Sequence, residues 1–280
     1  SGAITDNVNG GNITFTSNNS ITQNGAISMV ANTSGAAAAL TYDTTSGNNT
    51  SAITAGGAFT FGAGSTSNIN YLMKAKGGAL NPGLIGTSTI ALPGTVTIDN
   101  TYYGATPVSG GITTANVATS GVATTSVGVN INNAIYARDN ITLMGAAYNN
   151  QGMQYTAAVT STAGDVTMSG LTTASNYAIY TSNSSLVTGN NIYVTGKSSG
   201  AVANVWMTYL GAFTINSSSV NGNLNVISTV GVVGSPYALY QVGAITGANG
   251  TNMSFRANGV INQTGAISMV ANTSGSVATL

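Results

Sequence analysis

The chain has 280 residues and a formal net charge of zero, and only 4% of its residues are charged. That fraction is far below the roughly 25% of ordinary soluble domains. The chain contains no His and no Cys, which excludes disulfides, nucleophile–base catalysis through either residue type and the commonest zinc sites. Zero net charge removes the electrostatic basis for binding nucleic acid, and no apolar run approaches the ~18–20 residues of a membrane span.

The composition nevertheless predicts a folded core. Apolar residues make up 42% of the chain and the mean hydropathy is +0.22, whereas disordered chains are poor in apolar residues and rich in charge. Thr, Ser, Asn and Gly together form about half of the sequence, and all four are unfavourable in helix interiors. We therefore expect an all-β protein without long helices.

One short phrase recurs along the chain: a turn-forming residue, any residue, an apolar residue, a small polar residue and a second apolar residue. Its period-two alternation predicts short strands with one buried face. All five Phe residues fall in the apolar positions, which indicates that these positions form the core. The copies are GNITF (11–15), GAISM (25–29), GAFTF (57–61), GTVTI (94–98), DNITL (139–143), GDVTM (164–168), NNIYV (190–194), GAFTI (211–215), GNLNV (222–226), TNMSF (251–255) and GAISM (265–269).

The spacing between successive copies is irregular, which fits a parallel β-solenoid with coils of roughly 20–30 residues and loops of variable length. In this architecture apolar side chains stack inside the rod, and Thr and Ser form ladders outside. Three prolines, Pro82, Pro93 and Pro107, predict that 63–135 is the least regular part. The alternative is a string of β-sandwich domains, which also have short alternating strands.

A long repeat organises the whole chain. Residues 12–40 align without a gap to residues 252–280, with 18 of 29 positions identical and a constant offset of 240. We expect residues 1–251 to be one full solenoid repeat and 252–280 the start of the next, within a longer array. With ~20–25 residues per coil, one repeat is predicted to hold ~10–12 coils and to extend about 50 Å.

Three phrases, ARDNITLMGAAYNN (137–150), STAGDVTMSGLTTAS (161–175) and LVTGNNIYVTGKSSG (186–200), resemble the repeats of filamentous-haemagglutinin-type adhesins and autotransporter passengers. The resemblance covers most of 1–30 and 137–280. It implies a right-handed parallel β-helix in a large secreted bacterial surface protein, extending as a rod or fibre and used in adhesion. The family carries no binding motif that maps onto this sequence.

The candidate catalytic acids are Asp99, Asp139 and Asp165, with Arg138 beside one of them. A glycosidase needs two carboxylates about 5–10 Å apart. Asp139 and Asp165 each stand just before a predicted strand, however, where Asp is a favoured turn residue. We therefore predict no catalytic, cofactor-binding or metal-binding residues.

Exposed aromatic side chains are the other candidate site. Tyr102, Tyr103 and Tyr193 are the best candidates for stacking against sugars, Tyr193 because it replaces the outward Thr of the phrase, and Trp206 is the single tryptophan. More often such residues cover the core or lie along the rod surface.

Together these observations favour a non-enzymatic structural repeat of a large extracellular bacterial fibre or adhesin at the cell surface. Its expected partners are neighbouring repeats or copies of itself end to end, and surface glycans, with no cofactor, no nucleic acid and no membrane insertion. One alternative is a carbohydrate-binding or carbohydrate-degrading β-helix spike similar to a phage tailspike. Another is a protomer that polymerises end to end into a filament.

Overall fold

The computed structural model describes residues 2–48, 50–102, 126–148, 150–173, 176–181, 185–198, 207–216, 222–231, 238–271, 273 and 278–280. These residues form a parallel β-solenoid of about eight turns, and all pairs between the described strands are parallel. The prediction of a solenoid is confirmed, and the β-sandwich alternative is wrong. Among the described residues no helix is long and apolar enough to cross a membrane.

The strands stack into three faces, which the chain visits in the order B, C, A on each turn. Face A contains β1 (Ile4–Asp6), β4 (Ile27–Met29), β7 (Phe59–Phe61), β12 (Ile135–Ala137), β15 (Val159–Ser161), β18 (Leu186–Gly189), β21 (Ala212–Ile215), β24 (Ile245–Gly247) and β27 (Ile267–Met269). Face B contains β2 (Asn12–Thr16), β5 (Ala38–Thr44), β8 (Ile69–Ala75), β10 (Val96–Asp99), β13 (Ile141–Ala147), β16 (Val166–Thr172), β19 (Ile192–Ser198), β22 (Asn223–Thr229) and β25 (Asn252–Ala257). Face C contains β3 (Ile21–Gln23), β6 (Ile53–Ala55), β9 (Leu80–Asn81), β11 (Val129–Ile131), β14 (Met153–Tyr155), β17 (Ile179–Thr181), β20 (Thr208–Leu210), β23 (Leu239–Gln241) and β26 (Ile261–Gln263).

The register on face B gives the length of every turn. Starting at Ile13, each inward residue pairs with its equivalent one turn later, and the series reaches Met253, one full sequence period further on, after eight turns. The mean turn is therefore about 30 residues, at the upper limit of the predicted range and longer than the ~20–25 residues from which the number of coils was predicted. The predicted number of coils is wrong, and so is the rod length that follows from it. At about 4.8 Å per rung, eight turns rise about 38 Å. Long corner loops account for the difference from the predicted coil size.

Alternation within each strand builds the core. In β6, for example, Ile53 and Ala55 are buried while Thr54 between them is exposed. All five Phe residues lie in the core or pack against it, as their positions in the phrase predicted. On face A, the outward positions of β15, β18, β21 and β24 hold Thr in register, so the predicted hydroxyl ladder is present there.

A column of glycines at the corner before face A explains why the phrase so often begins with Gly-Ala. A Cβ added at Gly25, Gly57 or Gly265 would overlap the backbone of Gly2, Gly25 or Gly243, respectively, one turn below. Only a residue without a side chain allows the backbone of successive coils to approach this closely.

Residues 63–135, expected to be the least regular part, contain β8, β9, β10 and β11 within the continuous stacks of faces B and C. Between β9 and β10, the segment that lies on face A forms isolated bridges at Ile85 and Leu92 in place of a strand. The turn from Val96 to Ile141 is the longest of the eight. It includes 103–125, which lie outside the described residues.

Candidate functional site

The Arg138–Asp139 pair is part of a corner that joins three coils. The Arg138 guanidinium donates to both oxygens of Asp139, at 2.8 and 2.9 Å, to the Pro93 carbonyl of the preceding turn and to Asn68 Oδ1 of the turn before that. The hydrogen bonds from Arg138 hold the pKa of Asp139 below its ordinary value. A carboxylate held ionised in this way suits a structural anchor and not a general acid.

Asp165 belongs to a ladder of polar residues at the corner that precedes face B. The Asp165 amide donates to Asn140 Oδ1 at 2.9 Å, and Asp165 Oδ1 accepts from the amide and side chain of Asn191. Asn191 Oδ1 in turn accepts two hydrogen bonds from Asn223. Each side chain satisfies backbone groups of the next coil, which the corner would otherwise leave unpaired.

Asp99 lies in a column of charges on face B. Asp43, Lys74 and Asp99 occupy consecutive rungs of one outward column, so their charges alternate in sign. Lys74 Nζ lies 2.8 Å from Asp43 Oδ2 and 5.5 Å from the centre of the Tyr102 ring. Asp99 is only 2% exposed, and its Oδ1 accepts from the Thr101 amide and hydroxyl at 2.7 and 2.5 Å. Alternation avoids the repulsion that like charges on neighbouring rungs would produce.

The pKa values of the two acids in this column move in opposite directions. Burial raises the pKa of Asp99, and the hydrogen bonds from Thr101 only partly oppose this. Burial also acts to raise the pKa of Asp43, but hydrogen bonds from Lys74 and Thr45 outweigh it and leave the pKa lowered. Opposed shifts can mark an acid–base pair. Here Asp99, whose pKa is raised, is buried, and Lys74 lies between it and Asp43, whose pKa is lowered. We therefore assign the column to packing of the coils.

The three predicted candidate acids do not converge on one site. Asp99 pairs in register with Met144, five residues along from Asp139, a separation of about 16 Å along the strand direction. Asp139 and Asp165 do lie on neighbouring rungs of one corner, but each carboxylate is bound by a structural partner. Within the described ranges no three acidic side chains cluster in a way that could hold a metal ion.

The predicted aromatic candidates lie apart from one another. Tyr193 is on face B, 38% exposed, between Thr167 and Asn225 of the adjacent strands. Tyr102 covers Lys74 at the end of the charged column. Tyr103 and Trp206 lie outside the described residues.

Face C carries an aromatic surface that the sequence reasoning missed. Tyr180, Tyr209 and Tyr240 occupy the outward positions of β17, β20 and β23 on three consecutive rungs, and Tyr177 packs beside the first two. The ring centroids of Tyr180 and Tyr209 are 5.5 Å apart, and those of Tyr209 and Tyr240 are 5.0 Å apart. All four side chains are partly exposed. We call these four residues the tyrosine ladder.

The tyrosine ladder stands out from the rest of its column. The other outward residues of face C, from the first rung to the last, are Thr22, Thr54, Asn81, Asn130, Gln154 and Asn262. Burial, with the neighbouring phenols, raises the pKa of Tyr209, the central residue of the ladder. None of the ten charged residues of the chain lies in a strand of face C.

A sequence signal for the ladder does exist. An aromatic residue followed three positions later by Tyr occurs at 177–180, 206–209 and 237–240. Each of these pairs follows the previous one at an interval close to the mean turn. The turn length has to be known, however, before these tyrosines can be assigned to one column.

The two ends of the solenoid have similar sequences and share several contacts. We call β2–β4 the first coil, β5–β7 the second, β22–β24 the eighth and β25–β27 the ninth. Asn12 of the first coil pairs with Ala39 at the start of the second. Asn252 of the ninth coil pairs with Thr279 in the equivalent register, and the Met253 amide donates to the Thr279 carbonyl at 2.8 Å. Thr279 is the equivalent of Ala39 in the aligned repeats, so the tenth coil begins as the second one does.

A side-chain contact at the corner before face B repeats in the same way. Asn9 accepts from the Thr33 amide at 2.9 Å and donates to its hydroxyl at 2.8 Å. Asn249 and Thr273, their equivalents at the repeat offset, make the same two bonds at 3.1 and 2.9 Å. The corner is therefore built alike at both ends of the solenoid.

The ninth coil exposes residues whose equivalents are buried elsewhere. Ile261 is 41% exposed, whereas Ile53 and Leu239, on inward rungs of the same column, are fully buried. Ile21, the equivalent of Ile261 in the first coil, is covered by Ile53 of the second coil. Ile21 and Ile261 therefore occupy equivalent inward positions in the first and last strands of face C.

No family model matches the chain, and no curated protein or solved structure matches it either. The fold itself defines the class of protein as a parallel β-solenoid repeat protein.

Proposed function

We propose that this chain is a non-enzymatic structural repeat of a large extracellular bacterial fibre or adhesin, and that its repeats join into one uninterrupted solenoid rod. The observation that carries the proposal is the match between the sequence period and the fold. The sequence period equals eight whole turns, so the start of the next repeat arrives on the same face, in the same register, as the start of this one.

The structure contains both contacts that a junction between repeats needs. The eighth coil stacks under the ninth through three parallel strand pairs. The first coil stacks under the second through three more. Because the ninth coil repeats the sequence of the first, the second coil of the following repeat has a ready surface. A junction built from these two contacts requires no new interface.

Tandem repeats within one chain also protect the strands at each junction. In a covalent array the first strands of one repeat cover the sheet edges of the repeat before it, and open sheet edges are prone to aggregation.

The extracellular adhesin role is supported by the sequence phrases that resemble filamentous-haemagglutinin-type repeats. A long rod built with few charges and no cysteine suits the outside of a cell, where length presents a surface to a target. Antibodies against the chain should label intact cells of the source organism, and labelling only after lysis would contradict this location.

The junction is tested by lengthening the chain by one repeat. Because 252–280 correspond to 12–40, residues 41–280 are appended after Leu280 to give two repeats in phase. Small-angle scattering and electron microscopy should show a single straight rod that is longer by about 38 Å. The matched control appends 53–280 instead, which removes the last four residues of β5 and the loop that follows them at the junction, and should give a bent or partly unfolded joint. Two rods with a flexible link in the in-phase protein would refute the proposal.

A further inference from the structure

The outward position of the tyrosine ladder needs an explanation beyond core packing. The residues flanking Tyr180, Tyr209 and Tyr240 in their strands, including Ile179 and Leu239, are fully buried, so these rings lie on the outside of the rod. Stacked tyrosines stabilise adjacent strands modestly, by roughly 0.2–1 kcal/mol for each cross-strand pair. Other rungs hold Thr or Asn at this outward position, so stability alone does not require three consecutive aromatic residues.

The surroundings of the ladder select the charge of its ligand. All ten charged residues lie outside the strands of face C, and the outward residues on either side of the ladder are the amides Gln154 and Asn262. An acidic polymer, a nucleic acid or an anionic membrane surface would find no counter-charge in these strands. A neutral, hydroxyl-rich ligand needs no counter-charge, so the uncharged strands of face C suit it.

The geometry of the ladder selects a long ligand. The rings repeat along the rod axis at 5.5 and 5.0 Å, and three rungs cover about 10 Å. Aromatic rings pack against the C–H faces of sugar rings, while phenol and amide groups hydrogen-bond with sugar hydroxyls. An extended sugar chain lying parallel to the axis would contact successive rings and then the flanking amides.

We propose that the tyrosine ladder of face C, Tyr177, Tyr180, Tyr209 and Tyr240, is a binding site for a neutral polysaccharide that runs along the rod. The site goes beyond the structural role and supplies a contact surface for the adhesive one. It rests on the proposed function only for the extracellular setting. Its recurrence in every repeat would give a fibre many weak sites in a row, which raises the overall affinity through multivalency.

The test measures binding of the unsubstituted chain to cellohexaose, xylohexaose, mannohexaose and N-acetylchitohexaose by titration calorimetry. Any sugar that binds is also measured as its disaccharide, trisaccharide and tetrasaccharide, with trigalacturonic acid as the charged comparison for the trisaccharide. The key variant is Tyr209→Thr, because Thr is the natural outward residue of this column in β3 and β6. Tyr209→Phe keeps the ring and removes the hydroxyl. The matched control is Tyr193→Thr on face B, an exposed Tyr next to Thr167. Circular dichroism confirms that each variant folds.

Support requires that at least one neutral hexasaccharide binds and that affinity rises from the disaccharide to the trisaccharide or tetrasaccharide. Tyr209→Thr should weaken binding at least about tenfold, which corresponds to about 1.4 kcal/mol. Tyr209→Phe should bind more nearly as the unsubstituted chain does, and Tyr193→Thr should leave binding unchanged.

Absence of binding to all four neutral sugars overturns the proposal. Equal binding of trigalacturonic acid also overturns it, as does unchanged binding by the variant in which Tyr180, Tyr209 and Tyr240 are all replaced by Thr. If sedimentation shows self-association that the triple variant abolishes, the ladder is instead an interface between copies. The rod-length experiment does not depend on these results, so the two proposals fail separately.

Discussion

Replacing Gly57 by Ala tests whether the glycine corner sets the spacing of the coils. A Cβ at Gly57 would lie 2.5 Å from the Gly25 carbonyl carbon, where ordinary contact begins at 3.4 Å. The first and second coils must therefore separate by about 1 Å at this corner. The neighbouring glycine is a matched control, because a Cβ at Gly56 would meet its nearest atom, the Gln23 carbonyl oxygen, at an ordinary 3.6 Å.

The cost follows from the hydrogen bonds that this separation stretches. Gly56 N donates to the Gln23 carbonyl at 2.7 Å and Ile27 N donates to the Ala58 carbonyl at 3.0 Å. A lengthening of about 1 Å takes both beyond the usual limit of about 3.2 Å. Two lost bonds cost about 2 kcal/mol, and the remaining overlap adds at least about 1 kcal/mol. We expect Gly57→Ala to lower the free energy of unfolding by about 3 kcal/mol, and Gly56→Ala to change it by less than about 0.5 kcal/mol.

The assay is urea unfolding combined with amide hydrogen exchange, because a solenoid can open locally at its weakest interface. In Gly57→Ala, exchange should accelerate in β3, β4, β6 and β7 and remain unchanged in β13 and β16. If the two alanine variants unfold at the same urea concentration and exchange alike, the close approach at Gly57 does not control the spacing.

The remaining predictions concern the core and the buried acid. Ile27→Asp places a charge at an inward position that is 1% exposed, so this variant should unfold the first two coils. Ser28→Asp is the control, because Ser28 lies on the outward side of the same strand. Its circular dichroism and exchange rates should stay close to those of the unsubstituted chain. Because the folded-state pKa of Asp99 is raised, the folded protein binds this proton more tightly than the unfolded chain, and stability falls as pH rises above about 4. Asp99→Asn should therefore gain stability relative to the unsubstituted chain at pH 7 but not at pH 3, and an equal effect at both values would refute the assignment. The pH dependence from Asp139 has the opposite sign, because its folded-state pKa is lowered. Asp139→Asn should lose stability at pH 7 by less than about 1 kcal/mol and should lose less at pH 3, as measured by thermal unfolding in buffers of equal ionic strength.

The scarcity of charge has a physical explanation in the fold. In a stack with one rung roughly every 4.7–4.9 Å, a charge kept at the same position of every coil would face its like on both sides. Where three charges do occupy consecutive rungs, at Asp43, Lys74 and Asp99, their signs alternate. In the ladder from Asn140 to Asn223, hydrogen bonds between coils run through Asn side chains and the single acid Asp165, so no two like charges are neighbours.

Local features of the sequence were sufficient to predict the class of fold and the core. The alternation in phrases such as GAFTF places Phe59 inward and Thr60 outward, because side chains of a strand point to opposite faces. The identity between 12–40 and 252–280 predicts that the two segments fold alike, and their matched contacts at Asn9 and Asn249 agree with this. These conclusions depend on residues that are near each other in the chain or identical in sequence.

The number of turns and the composition of each face depend on the tertiary structure. The turn from Val96 to Ile141 is much longer than the next one, from Ile141 to Val166, because corner loops vary in length while the strands stay in register. Residues on adjacent rungs are therefore separated by no fixed interval, and the sequence alone does not place Tyr180 beside Tyr209 or Lys74 beside Asp99. Backbone hydrogen bonding between coils sets that register, so only the stacked structure brings together the residues of the tyrosine ladder and the alternating charges.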